Sequence, residues 1–285
     1  MRGMGGSPRS APASSLGGVC DAPCFFGTLA FGDTPMEIVR LFSWFAALWG
    51  VLWLACGVFC KFVVVPYLPA SSKPHENHSM YVGQKLVAEI KSLFIACAAN
   101  HLLYTLFIEE TSREFELGGY PPGEPYGILV TAFEIADLVL CLAFGFFTTE
   151  HVVHHLIHIG VGTLCRVNHA PTLTALIVMA QETSGLPLNY FLLMRHRISH
   201  SHWSIHAAQI AFATTFAIWR LGLGTYGTYH FVRFSPAHLP PTFPTWHARA
   251  LGTALVFGSV LQWYWGVTIF RMVTRTGSIK KKKEE

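Results

Sequence analysis

Charge is what this chain has least of. Asp, Glu, Lys and Arg make up 13% of its 285 residues, about half the share usual in soluble domains. A single water-exposed globule is therefore excluded. Aspartate is scarcer still, with only Asp21, Asp33 and Asp137, so no segment is aspartate-rich. No CxxC metal pair exists among the seven cysteines. Internal repeats and phosphate-binding loops add no signal. The net charge of +4 gathers in the C-terminal tail, which suits an anionic membrane leaflet better than nucleic acid.

Apolar residues dominate instead, at 52% with a mean hydropathy of +0.40. That composition belongs to a multi-spanning membrane protein. Apolar runs cover 38–60, 87–108, 127–147, 171–194, 203–222 and 250–272, each about the 20 residues needed to cross a hydrocarbon core. A shorter run at 151–166 is counted as a seventh, because leaving it out puts its flanking elements on the wrong sides. The fold class expected is all-α, a polytopic membrane bundle of about seven transmembrane helices.

Basic residues bias orientation towards the cytosol. Arg271, Arg275 and Lys280 to Lys283 place the C-terminus there and, with seven spans, the N-terminus in the lumen. Lys61, Lys73, Lys85, Arg195 and Arg197 then fall in cytosolic loops, and Glu109, Glu110, Glu114, Glu116 and Glu124 in a lumenal one. Arg166, Arg233 and Arg249 run against the trend. The final residues Lys282-Lys283-Glu284-Glu285 resemble the dilysine signal that returns membrane proteins to the endoplasmic reticulum.

Three segments result: a flexible Gly/Ser/Pro-rich leader (1–35), a transmembrane domain (36–272) and a basic cytosolic tail (273–285). The leader lacks the compact apolar core of a signal peptide. Its Cys20 and Cys24 face an oxidising lumen under this topology, where a local disulfide can form. Cys56, Cys60, Cys97, Cys141 and Cys165 sit in or beside the spans and read as small buried apolar residues.

Ionisable groups at membrane depth are expensive, and they mark function by default. The adjacent pair His154 and His155 lies mid-run, with Asp137 in the span before it and Glu182 in the span after. At about 100° per residue, His151, His155 and His158 share a narrow arc of one helix face, with His154 about 60° to its side. That face must turn inward, since lipid offers imidazole no partner. Imidazole there can act as general base, acyl-carrying nucleophile or metal ligand. His151 and His158, near the run's ends, read as helix-to-helix hydrogen bonders, and the central pair as functional.

The stretch from Glu150 to His155 contains HxxHH, and His196, His200, His202 and His206 form a second dense stretch. Both spacings are found in membrane di-iron desaturases and hydroxylases. The order of boxes is reversed from that family's, however, and no third box of comparable density follows. The expectation is therefore no metal and no bound cofactor, with a di-iron lipid hydroxylase or desaturase kept as a second alternative.

The ordered positions His101, Asp137, His154-His155, Glu182-Thr183-Ser184, Pro187 and Asn189, followed by Phe216 with Arg220 and by Gln262 to Trp265, resemble the TLC-domain family. This is the lipid-associated membrane domain that includes the ceramide synthases. The resemblance covers roughly residues 36 to 272 and implies a TLC-type helix bundle. Ceramide synthases carry an HDxSD segment where this chain has Gln181-Glu182-Thr183-Ser184-Gly185, so the chain is closer to the small TLC-domain proteins.

What the resemblance implies is a role in sphingolipid or phospholipid homeostasis. One form is an acyl-CoA-dependent N-acyltransferase of the ceramide synthase kind, with acyl-CoA as co-substrate. His154, His155, Asp137 and Glu182 are its candidate catalytic groups, and His101, Asn100, Asn189 and Arg220 the candidate walls of the lipid cavity. The other form is a non-catalytic protein that senses, binds or transports membrane lipid. The expected partners are membrane lipids, with no nucleic acid.

Overall fold

Proline and glycine punctuate an otherwise continuous helical chain. The computed structural model describes residues 34–108, 123–168, 172–199, 201–239 and 243–284, with backbone alone at 107, 108, 172, 235–238 and 272–284. The leader with Cys20 and Cys24, the four glutamates from Glu109 to Glu116, and His200 lie outside the described residues.

Thr34 opens the first helix, α1 (Pro35–Phe59), through a capping box with Glu37 and with Pro35 in the first turn. Both orphan-donor problems of a helix start are solved locally. The rod runs on through a π turn (Cys60–Val64) and a 3-10 turn (Val65–Tyr67). Pro66 lacks the N–H needed to continue an α-helix.

Then come α2 (Ser79–Ile108), α3 (Glu124–Phe144) and α4 (Thr149–Asn168). The fifth rod is broken into α5 (Thr172–Ala180), a 3-10 segment (Gln181–Ser184) and α6 (Gly185–Met194). Pro187 explains the break, because its ring excludes the carbonyl four residues back. The sixth joins α7 (Trp203–Thr215) to α8 (Gly224–His238) through a π segment (Phe216–Leu223). The seventh is α9 (Thr245–Glu284). Among the described residues these are seven helical rods and no strand.

Four rods are long and apolar enough to cross a bilayer unaided: Pro35–Tyr67, Ser79–Leu106, Glu124–Phe144 and Thr245–Arg271. The remaining three carry much of the polar interior. Trp44, Val51, Phe62, Ile210, Val260 and Phe270 are each more than half exposed. A surface of that kind is matched by lipid rather than water.

The core packs tightly where residues are small. A Cβ at Gly83 of α2 would lie 2.6 Å from the Gly57 nitrogen of α1, so the two backbones touch. Such contacts give membrane helices van der Waals packing that lipid cannot compete with. Trp53 donates its indole N–H to the Met80 carbonyl at 2.8 Å, and Trp49 to that of Leu129 at 3.1 Å. These bonds tie α1 to α2 and α3. On the other side, Ile95, Ala99, Leu102 and Leu103 of α2 pack on Leu176, Ile177 and Ala180 of α5.

Some boundaries differ from the apolar runs. Helix α2 starts at Ser79, so Lys85 sits inside it, half-buried, with its ammonium 5.3 Å from the Tyr81 ring. A lysine stem can be buried while its head finds a polar or aromatic neighbour. Glu124, expected in a loop, is the first residue of α3, with Arg166 at 3.9 Å. The sixth rod continues sixteen residues past the run's end at 222, to His238. Its Gly- and Tyr-rich second half buries Phe231 against Leu251 of α9. Helix α9 extends through the basic tail to Glu284.

At one end of the bundle the 68–78 loop is clasped to the α6–α7 turn. Arg197 donates to the carbonyls of Leu193 (3.0 Å), Pro69 (2.8 Å) and Glu76, and to Asn77 Oδ1 (3.3 Å). Glu76 accepts from Ser71 Oγ at 2.6 Å and meets His196 Nδ1 at 2.8 Å. Burial alone would push the Glu76 carboxyl up, but the bonds from Ser71 and His196 hold it below its usual value.

Candidate functional site

Gly145 ends α3 in the left-handed region at φ 72° and turns the chain into α4 within a few residues. A turn that short makes α3 and α4 antiparallel neighbours. Asp137 and His155, both about 10 Å from the turn at 1.5 Å per residue, are therefore level. Close packing is enforced deeper down, where a Cβ at Gly162 would collide with the Thr131 hydroxyl.

His155 is buried with a carboxylate on each ring nitrogen: Glu134 at Nδ1 and Asp137 at Nε2, the latter at 3.2 Å. Asp137 also takes His151 Nε2 at 3.1 Å and the Gln84 amide at 3.0 Å. Glu134 faces Lys91 Nζ at 3.7 Å, and Lys91 reaches Glu182 at 2.7 Å. Ser92 donates to the same Glu182 oxygen at 2.7 Å. The chain His151–Asp137–His155–Glu134–Lys91–Glu182 thus crosses four rods. Each buried charge meets an opposite charge or a hydrogen-bond donor, as burial in a low dielectric demands.

The 3-10 segment explains how Glu182 and its neighbours reach different helices. At three residues per turn, successive side chains splay apart. Gln181 accepts from Gln262 of α9 at 2.7 Å, Thr183 accepts from Asn100 of α2 at 2.9 Å, and Ser184 accepts from Arg220 at 2.7 Å. Arg220 belongs to the π segment and also stands 5.8 Å from the Phe216 ring. Such π insertions recur at functional sites because they rephase a side chain relative to the α-helix.

The adjacent histidines do different things. The rings pair along the helix at i, i+4: His151 with His155, and His154 with His158, each at 4.2 Å between centroids. The first pair is committed to carboxylates. His154 and His158 are half-buried and make no ring-nitrogen hydrogen bond among the described residues. His154 nonetheless lies against the committed pair, its ring 5.5 Å from that of His155, and His158 lines an interior crevice. The outward face of α4 is Val153 and Leu156, 40% and 56% exposed.

Of the eight candidates, Asp137, His154, His155, Glu182 and Arg220 come together. Asn100 braces the 3-10 segment beside Glu182. Asn189 lies near Glu89 of α2. His101 is exposed on α2, about 15 Å along the helix from Lys91 at 1.5 Å per residue. Lys91 and Glu134 were missed, although the same signal marked them: each is an ionisable residue inside an apolar run. Gln84, Ser92, Gln181 and Gln262 carry no comparable signal, because polar uncharged residues are common between membrane helices.

The two histidine stretches do not converge among the described residues. His196 is held by Glu76, and His202 caps α7 by accepting from the Ser204 N–H. One trio, Asp137, Cys141 and His151, has donor atoms within 4.8 Å of one another. A histidine-rich di-iron site needs many more imidazoles than this.

The family model of the TLC domain matches residues 75–271, more than two thirds of the chain and every residue of the cluster. The chain belongs to the TLC-domain family. No curated protein and no solved structure matches it significantly. Helix α1 lies before the matched stretch, although it packs on α2 and α3. This TLC protein is thus a multi-pass helical membrane protein of a lipid-related family, and its polar centre falls wholly within the shared domain.

Proposed function

We propose that this TLC protein transfers a fatty acyl group from acyl-CoA to the amine of a long-chain base, in the manner of a ceramide synthase, with His154 as the reactive imidazole. The observation that carries this reading is the division within the histidine pair. His155 has both nitrogens committed to carboxylates, whereas those of His154, whose ring lies 5.5 Å from that of His155, are uncommitted. His154 takes the amine proton as the nitrogen attacks the thioester carbonyl. The C–N bond forms, the C–S bond breaks, and the proton passes to the departing thiolate to give free coenzyme A. Arg220 supplies donors to the developing oxyanion. His155, Glu134 and Asp137 position α4 against α3. The dilysine-like tail supports residence in the endoplasmic reticulum.

A second reading, lipid sensing, binding or transport without bond chemistry, is favoured by one feature: the ion network closes on itself without a ligand. Purified protein with acyl-CoA and a long-chain base separates the two. Amide formation lost in His154→Ala, at unchanged thermal stability, supports transfer. Lipid binding without turnover in the wild type refutes it and leaves the second reading.

A further inference from the structure

The ion network balances its charge everywhere except at one end. A ring nitrogen that faces a carboxylate must donate, so His155, with Glu134 on one side and Asp137 on the other, carries both protons and one positive charge. That charge and Lys91 offset Glu134 and Glu182. Asp137 is left over. It is 4% exposed, and no lysine or arginine pairs with it among the described residues. A buried carboxylate without a cation of its own is costly. His151 supplies one only when protonated.

What surrounds Asp137 is a set of metal donors. Asp137 and Cys141 stand one turn apart on the same face of α3, and the Gly145 turn brings His151, the third residue of α4, beside them. One donor atom from each lies within 4.8 Å of the others. From Asp137 Oδ2, His151 Nε2 is at 3.1 Å and Cys141 Sγ at 3.8 Å. A tetrahedral zinc ion spaces such ligands about 3.3 Å apart for oxygen to nitrogen and about 3.5 Å for oxygen to sulfur. Both contacts of the carboxylate oxygen are thus within about 0.3 Å of coordination spacing. Outer partners are also in place, since Gln84 donates to Oδ1 at 3.0 Å and His155 meets Oδ2 at 3.2 Å. Such partners orient a ligand before the ion arrives.

The donors also select the ion. One thiolate, one imidazole and one carboxylate suit zinc, whereas calcium and magnesium take oxygen ligands. Zinc with a thiolate and a carboxylate sums to zero charge, which cancels the charge left on Asp137.

We propose that Asp137, Cys141 and His151 hold one zinc ion that staples the α3–α4 hairpin at the height where His155 meets Asp137. Three protein donors leave the fourth position to water. The site is independent of acyl transfer.

Full-length protein, expressed without a histidine tag and purified in detergent, should carry one zinc per chain by elemental mass spectrometry. X-ray absorption at the zinc edge should show one sulfur at about 2.3 Å and lighter ligands at about 2.0–2.2 Å. Cobalt(II) loaded after chelation should give a near-ultraviolet thiolate-to-metal band. Cys141→Ser should lose that band, while Cys165→Ser, on α4 and outside the trio, should keep it. His151→Gln should weaken cobalt binding more than about 100-fold, and Gln84→Leu, which only loosens the carboxylate, about 10–100-fold. Should Cys141→Ser misfold, the sulfur in the wild-type metal shell decides. Protein that takes up neither zinc nor cobalt, a shell without sulfur, iron in place of zinc, or an undiminished band in folded Cys141→Ser overturns the proposal.

Discussion

Lys91→Met tests whether the ion network holds the bundle together. The Lys91 ammonium sits 2.7 Å from Glu182 and 3.7 Å from Glu134, with all three side chains largely buried. Removing it leaves two carboxylates facing one another with no cation between them. Breaking a buried ion pair from one side costs about 3–5 kcal/mol. At about 2–4 °C per kcal/mol for a chain of this size, the unfolding midpoint should fall by roughly 6–20 °C. The double variant Lys91→Met/Glu182→Gln removes one charge of each sign. Its glutamine still accepts from Ser92, and Glu134 keeps His155, so at least half the loss should return. Coupling between groups in contact typically runs to about 0.5–3 kcal/mol. Tryptophan fluorescence on heating the detergent-solubilised proteins reads all three variants, Lys91→Met, Glu182→Gln and the double. A single variant melting within about 2 °C of wild type, or a double variant with purely additive losses, would refute the reasoning.

The histidines should separate in stability as well as activity: His155→Ala strands Glu134 and Asp137 and should cost about 3–5 kcal/mol, whereas His154→Ala should cost under about 1 kcal/mol, both read by thermal unfolding. An equal loss in the two would undo the division drawn here. Gly83→Ala forces α1 from α2 and should destabilise by about 1–3 kcal/mol. Gly127→Ala, whose Cβ meets open space, should be neutral or gain up to about 1 kcal/mol. Because Glu76 is held below its ordinary value of 4.5, its contribution to the clasp is complete above that pH and lost as pH falls through the lower folded value. Hydrogen exchange of the 68–78 loop should rise there, and Glu76→Gln should remove the pH dependence.

Much of the bundle was legible because each rod must satisfy its own backbone in lipid, so length and hydropathy locate it. Where local chemistry was mixed, boundaries slipped. Lys85 looked like a loop residue because charge alone cannot distinguish a snorkelling stem from a solvated one. The half-rod Gly224–His238 looked like a loop because its glycines and tyrosines dilute hydropathy while Phe231 still packs. At the site, depth marked Asp137, His155 and Glu182, and the same rule applied evenly finds Lys91 and Glu134. His101 and Asn189 were drawn in by order along the chain, which says nothing about which helix face they occupy.

The sequence by itself determined that this chain crosses a membrane as helices, that its ionisable residues lie at depth, and that their order is that of a TLC domain. Only the tertiary structure decided which groups meet. Neighbouring histidines sit about 100° apart on a helix, so His155 turns to the α3 carboxylates while His154 pairs with the His158 ring instead. Pairing of that kind depends on which rod lies alongside and at what height. Those relations arise from packing and turn geometry between segments far apart in the chain.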